Sequence, residues 1–175
     1  MQSRTPDTQR PGATCERPLS AELASAVAGA RRRAARDGDR QTDTAHLLHT
    51  LLESDPAARL AFDGGPAQVA RLLGYLVQRT IGYGLRWSGT VEESGALPAG
   101  GMSGWSPAAV AALRRAHDRA RARGAAQVEG TDLLAALVRD PGCRAVDVLH
   151  RAGVDTDRLG TRLGVWATSA SNTCE

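Results

Sequence analysis

LSAELASAVAGARRRAARDGDRQTDTAHLLHTLLESDP, residues 19–56, is answered 86 residues later by WSPAAVAALRRAHDRARARGAAQVEGTDLLAALVRDP, residues 105–141. Sliding one stretch onto the other places Ser20 on Ser106, Ala30 on Ala116, Ala34 on Ala120 and Gly38 on Gly124. Gln41 then falls on Gln127, and Leu47-Leu48 on Leu133-Leu134. One deletion brings Asp55-Pro56 onto Asp140-Pro141, and a further small shift brings Arg71-Leu72 onto Arg158-Leu159. Alanines match by chance in a chain this rich in them. Serines, glycines, a glutamine, a Leu-Leu pair and an Asp-Pro pair in the same order do not, so the chain is an internal repeat.

Each copy reads as four short helices. Ser20 and Ser106 are N-cap residues, whose hydroxyl accepts a free backbone N–H of the first turn, and Pro107 suits the first helical position. Leu23, Val27, Ala30 and Ala34 recur at helical spacing, as do Ala109, Leu113, Ala116 and Ala120. Gly38 and Gly124 are stop signals. A second, leucine-rich helix begins near Thr44 or Thr131, and Asp-Pro ends it. A third spans 57–62 or 144–151, with Gly153 behind the latter. A fourth starts near Pro66 or Asp155 and runs to Arg79 or Leu163. The expectation is therefore an all-α protein of two four-helix repeats, 19–79 and 105–164, related by a pseudo-two-fold axis. Residues 80–104, rich in Gly and Ser, read as a mobile linker, and residues 1–18 and 165–175 as disordered tails.

Composition narrows the chemistry. All 22 basic residues are arginine, so no lysine is present to serve a P-loop, a Schiff base or general-base catalysis. No nucleophile motif, paired-carboxylate signature or Ser-His-Asp arrangement stands out. The Gly82-x-Gly84 fragment follows no strand. A net charge of +3 is too small for a nucleic-acid protein, and no apolar run has the length of a membrane span. Cys15, Cys143 and Cys174 form no C-x-x-C pair. These features read as a cytoplasmic chain without metal or cofactor.

The Thr44-Ala45-His46-Leu47-Leu48 run resembles the Thr-x-His-Leu-Leu helix of the Clp N-terminal (Clp R) domain of ClpC- and ClpA-type unfoldases. So do Trp105-Ser106-Pro107 and the Val148-Leu149-His150-Arg151-Ala152-Gly153-Val154-Asp155 run, and the resemblance covers about 19–79 and 105–164. It implies a compact eight-helix domain that recruits substrates and adaptors and contains no ATPase; here it implies a stand-alone copy. In ClpC-type domains an acidic residue in the Thr-Glu-His motif of each repeat helps to bind phosphoarginine. The matching positions are Ala45 and Thr131, which implies weak phosphoarginine binding, and the family histidine is His46 in one copy and Asp132 in the other.

In actinobacterial ClpC-like domains, cyclic peptide antibiotics dock near the starts of the two first helices. By that resemblance Trp105 and Val27 fall at the ligand site, with Met102 a soft apolar neighbour and Arg31 and Arg114 at its rim. Trp105 has a second reading, as a staple residue covering a helix end. His46 and His49 have a spacing able to ligate a metal, but no third ligand is evident, and a capping or packing role is the default. Arg31-Arg32-Arg33-Arg36 and the arginines between Arg114 and Arg123 read as solvated helix faces, or as a surface for an acidic protein partner. Three functions follow: a peptide or adaptor receptor related to Clp proteases, acting as decoy or adaptor; a factor sequestering cyclic peptide antibiotics; and, from another class, a small hydrolase.

Overall fold

The structure is a computed structural model and describes residues 17–80, 92 and 103–165. The described residues form eight helices: α1 (Ala21–Asp37), α2 (Thr44–Ser54), α3 (Pro56–Leu60), α4 (Gly65–Thr80), α5 (Pro107–Ala122), α6 (Gly130–Val138), α7 (Arg144–Arg151) and α8 (Thr156–Arg162). The all-α architecture expected from the repeat is the one observed, and no strand occurs among the described residues.

Local chemistry sets the helix ends. Ser20 Oγ accepts the Leu23 N–H and Ser106 Oγ the Ala109 N–H, each at 3.1 Å. Gly38 closes α1 at φ 73°, a left-handed conformation that costs a residue with a Cβ. Asp55 both follows α2 and caps α3, accepting the N–H groups of Ala57 and Ala58. The first helix differs slightly from its expected face. Ala26 is fully buried where Val27 was expected, and Val27 packs only partly buried at the edge of the core. The fully buried leucines, Leu47, Leu48, Leu51 and Leu52 in α2 and Leu133, Leu134 and Leu137 in α6, fill the centre. Alanines lining α1 and α5 let these helices approach α2 and α6 closely.

The two halves clasp each other by a reciprocal pair of backbone bridges. Leu19 lies beside Val128 and Thr42 beside Trp105, both in parallel. Ser20 N–H donates to Val128 O at 2.8 Å, and Ser106 N–H to Thr42 O at 2.9 Å. The 86-residue offset of the sequence carries Leu19 to Trp105 and Thr42 to Val128, so each bridge becomes the other. Helix packing follows the same rule: α2 meets α7 as α6 meets α3. Most of the 80–104 stretch lies outside the described residues, as do the tails apart from Arg17, Pro18 and Val165. Glu92 is described, and it is buried.

Candidate functional site

The starts of α2, α5 and α7 converge on Glu92. Its Oε2 accepts the Thr44 N–H at 2.9 Å and the Ser106 hydroxyl at 2.8 Å. Its Oε1 accepts the Arg144 N–H at 2.7 Å and the Thr44 hydroxyl. Backbone N–H groups at a helix start have no partner within the helix and carry the positive end of its dipole, so a carboxylate is well placed there. The start of α7 draws on this bond and on the Thr44 hydroxyl, which accepts the Ala145 N–H at 3.0 Å, since its own N-cap residue, Cys143, makes no side-chain capping bond. Alongside, Asp43 Oδ2 takes Arg144 Nη1 at 2.8 Å. This junction joins the two repeats and leaves no open face for chemistry.

Burial withdraws two other groups from chemistry. Desolvation pushes the Cys143 thiol up to about 12, and Cys143 packs as a small apolar group in the core. His49 is lowered to about 4, chiefly by burial and then by the Arg33 guanidinium.

The residues singled out from sequence occupy different surroundings. Trp105 is 4% exposed and lies in the core, with its Nε1 lacking a hydrogen-bond partner among the described residues. Val110, one turn into α5, is buried in the same core, the arrangement of a staple residue. Val27 is partly buried, Arg31 and Arg114 are exposed, and Met102 lies outside the described residues. Of the two phosphoarginine positions, Ala45 is buried and Thr131 half-buried.

An open cleft sits elsewhere, where α3 of the first repeat faces the second. It has a volume of about 430 Å³. Ala57, Leu60 and Ala61 line one side, and the other is formed by Arg162, Leu163 and Thr131 together with Arg119 and Arg123, which pair there with Asp132 and Glu129. Leu60 is 77% exposed, and Arg162 Nη2 donates to its carbonyl at 3.2 Å. Arg123 forms a forked pair with Asp132, at 3.0 and 2.7 Å, which holds its guanidinium more firmly charged. Sequence reading singled out the α5 arginines and Thr131 but missed this cleft. The signal lay in Leu60, an apolar residue at the end of the short α3, and in its distance along the chain from Arg162.

A second polar group surrounds His46, which is fully buried. It is the N3 member of a capping box with Asp43, so the capping role expected of it holds. Its Nε2 points outward, 3.0 Å from Asp39 Oδ2 and 3.9 Å from Asp37 Oδ2. His49 does not join this group: its Nε2 lies 3.3 Å from Glu53. The pairing of the two histidines, raised by their spacing, is replaced by a pairing of His46 with Asp37 and Asp39.

Residues 105–170 match the family model of the Clp repeat (R) N-terminal domain. No curated protein matches the chain. Among solved structures, it is similar to the Hsp104 N-terminal domain from Candida albicans, with a TM-score of 0.63 and 13% identity over 84% of this chain and 89% of that one. It is also similar to the N-terminal domain of the caseinolytic protease associated chaperone ClpD from Arabidopsis thaliana, with a TM-score of 0.61 and 16% identity over 90% of this chain and 99% of that one. At such identities the likeness is one of fold. No helix among the described residues is long and apolar enough to cross a membrane.

Proposed function

Since the chain carries a Clp repeat (R) N-terminal domain in its second half and has the fold of such domains throughout, we propose that it is a non-catalytic receptor for extended peptide segments, of substrates or adaptors of a cytoplasmic Clp protease, that works as adaptor or decoy. The observation that carries this reading is the cleft between α3 and the second repeat. Its apolar side, with Leu60 exposed, suits an anchoring side chain, and its arginine side suits a neighbouring carboxylate. Arg162 and Arg123 sit at the rim, where charge steers encounter more than it adds affinity.

The test is a titration of labelled peptides, apolar residue next to acidic residue, followed by amide NMR shifts. Shifts should cluster on α3, the end of α5, the start of α6 and the end of α8, and Leu60→Asp should weaken binding at least tenfold while the fold stays intact. Shifts confined to α1 and the start of α5, with Leu60→Asp silent, would refute this site.

A second reading, capture of an apolar cyclic peptide by Trp105, Val27 and Met102 with Arg31 and Arg114 at the rim, draws on the indole N–H that finds no acceptor among the described residues. It requires a ring now 4% exposed to become accessible. A cyclic peptide that binds and shifts the Trp105 indole resonance, without touching α3, would favour it over the first.

A further inference from the structure

We propose that Asp37, Asp39 and His46 form a binding site for a divalent transition-metal ion of the zinc class, clamping the end of α1 to the start of α2. The three donor atoms all lie within 4.8 Å of one another. Two ligands that each sit about 2.1 Å from a tetrahedral zinc are about 3.4 Å apart. The distances from His46 Nε2 to the two carboxylates, 3.0 and 3.9 Å, straddle that value. One imidazole and two carboxylates form a nitrogen and oxygen set suited to zinc, cobalt or nickel, and leave a coordination position open.

The imidazole carries the argument. His46 has no exposed surface, yet its Nε2 lacks a hydrogen-bond partner of proper geometry among the described residues. A buried polar atom left so is costly, and here it is aimed at two carboxylates. The opposite nitrogen is already braced. Nδ1 lies 2.8 Å from Asp43 Oδ1 and 3.2 Å from the Asp43 N–H. In the capping box Nδ1 accepts the Asp43 N–H, so a metal binding at Nε2 moves the ring proton to Nδ1, where the Asp43 carboxylate 2.8 Å away accepts it in place of the capping bond, the outer-shell arrangement that orients metal-binding histidines. Asp43 is itself held by Arg144.

Two further features favour a cation. The carboxylates flank Gly38, which caps α1 in a left-handed conformation, so they stand at the negative end of a 17-residue helix. The other repeat answers the same position differently. The offset that carries His46 to Asp132 carries Asp37 to Arg123, and there the arginine itself supplies the positive charge.

The experiment uses the tag-free chain, zinc chloride with calorimetry, and cobalt chloride with visible absorption. One equivalent should bind per chain and raise the melting temperature. Asp37→Asn and Asp39→Asn should each weaken binding at least tenfold and leave the metal-free melting temperature nearly unchanged. Because His46 also caps α2, so that its replacement would remove a capping bond as well as a ligand, its part is read in the unaltered protein: zinc should shift the His46 Nε2 resonance in nitrogen NMR. Absence of binding, binding unchanged in Asp39→Asn, or a shift at another histidine in place of His46 would overturn the site.

Discussion

The starts of α2 and α6 occupy equivalent places in the two repeats and solve the same problem with different side chains. In the first repeat the N3 residue is His46, facing Asp37 and Asp39. In the second it is Asp132, gripped by Arg123 and approached by Arg119 at 3.3 Å. Both residues complete a capping box. The neighbouring cap follows the same logic. The α3 start is capped within its own segment by Asp55, whereas α7 borrows Glu92 from the connecting stretch. Gly130 stands where Thr44 stands in the other copy, and a Cβ there would collide with the Asp55 carboxylate at 1.9 Å. A duplicated backbone thus fixes where a polar cap is needed and leaves the side chain that supplies it to each copy.

The largest test of this asymmetry is at the reciprocal bridges. Trp105 is buried and its counterpart Leu19 only partly so. Trp105→Ala should cost about 3–5 kcal/mol of stability in denaturant unfolding, the range for a buried tryptophan, and Leu19→Ala clearly less. Equal losses would show that the two bridges are energetically alike. For the borrowed cap, Glu92→Ala should cost about 3 kcal/mol, since charge-assisted bonds contribute about 1.5–3 kcal/mol each and the Thr44 and Arg144 N–H groups would be left buried. If the loss is below about 1 kcal/mol, α7 does not depend on Glu92.

Acid sensitivity separates the copies next. His49 has Ala135 as its counterpart, and its folded-state value of about 4 lies below the ordinary 6.5. The unfolded chain therefore binds this proton first as pH falls. The stability that comes from keeping His49 neutral is fully present above pH 6.5, declines as pH drops, and is gone below about 4, a loss of up to about 3 kcal/mol. Melting curves of His49→Gln should lack this part of the slope between pH 6.5 and 4; parallel curves would refute it. The smallest effect on stability is at Cys143. In a chain with Cys15 and Cys174 changed to Ser, its thiol should react with iodoacetamide at pH 8 roughly a thousandfold more slowly than a free cysteine, and as fast as one once denaturant is added.

Much of the architecture was legible because repeats betray themselves through residues with local duties. Ser20 and Ser106 cap, Gly38 turns, and Leu47-Leu48 and Leu133-Leu134 fill the core, each readable within a few residues of chain. Val27 was assigned to the core because helical spacing does not distinguish it from Ala26; only the close approach of α2 selects the smaller side chain. The site was less legible. The cleft joins Leu60 to Arg162, and the His46 group joins it to Asp37 and Asp39 across a turn. Glu92 sat in a stretch read as linker, since nothing in its immediate neighbours announces three helix starts elsewhere in the chain.

The crossed pairing of Leu19 with Val128 and Thr42 with Trp105 makes this chain, in physical terms, a homodimer whose subunits share a backbone. Free subunits would meet at a rate and occupancy set by how much protein the cell holds. Joined in one chain, they see each other at an effective concentration that does not depend on how much protein is present. The clasp therefore does not fade on dilution, and a protein made in few copies keeps its two repeats together.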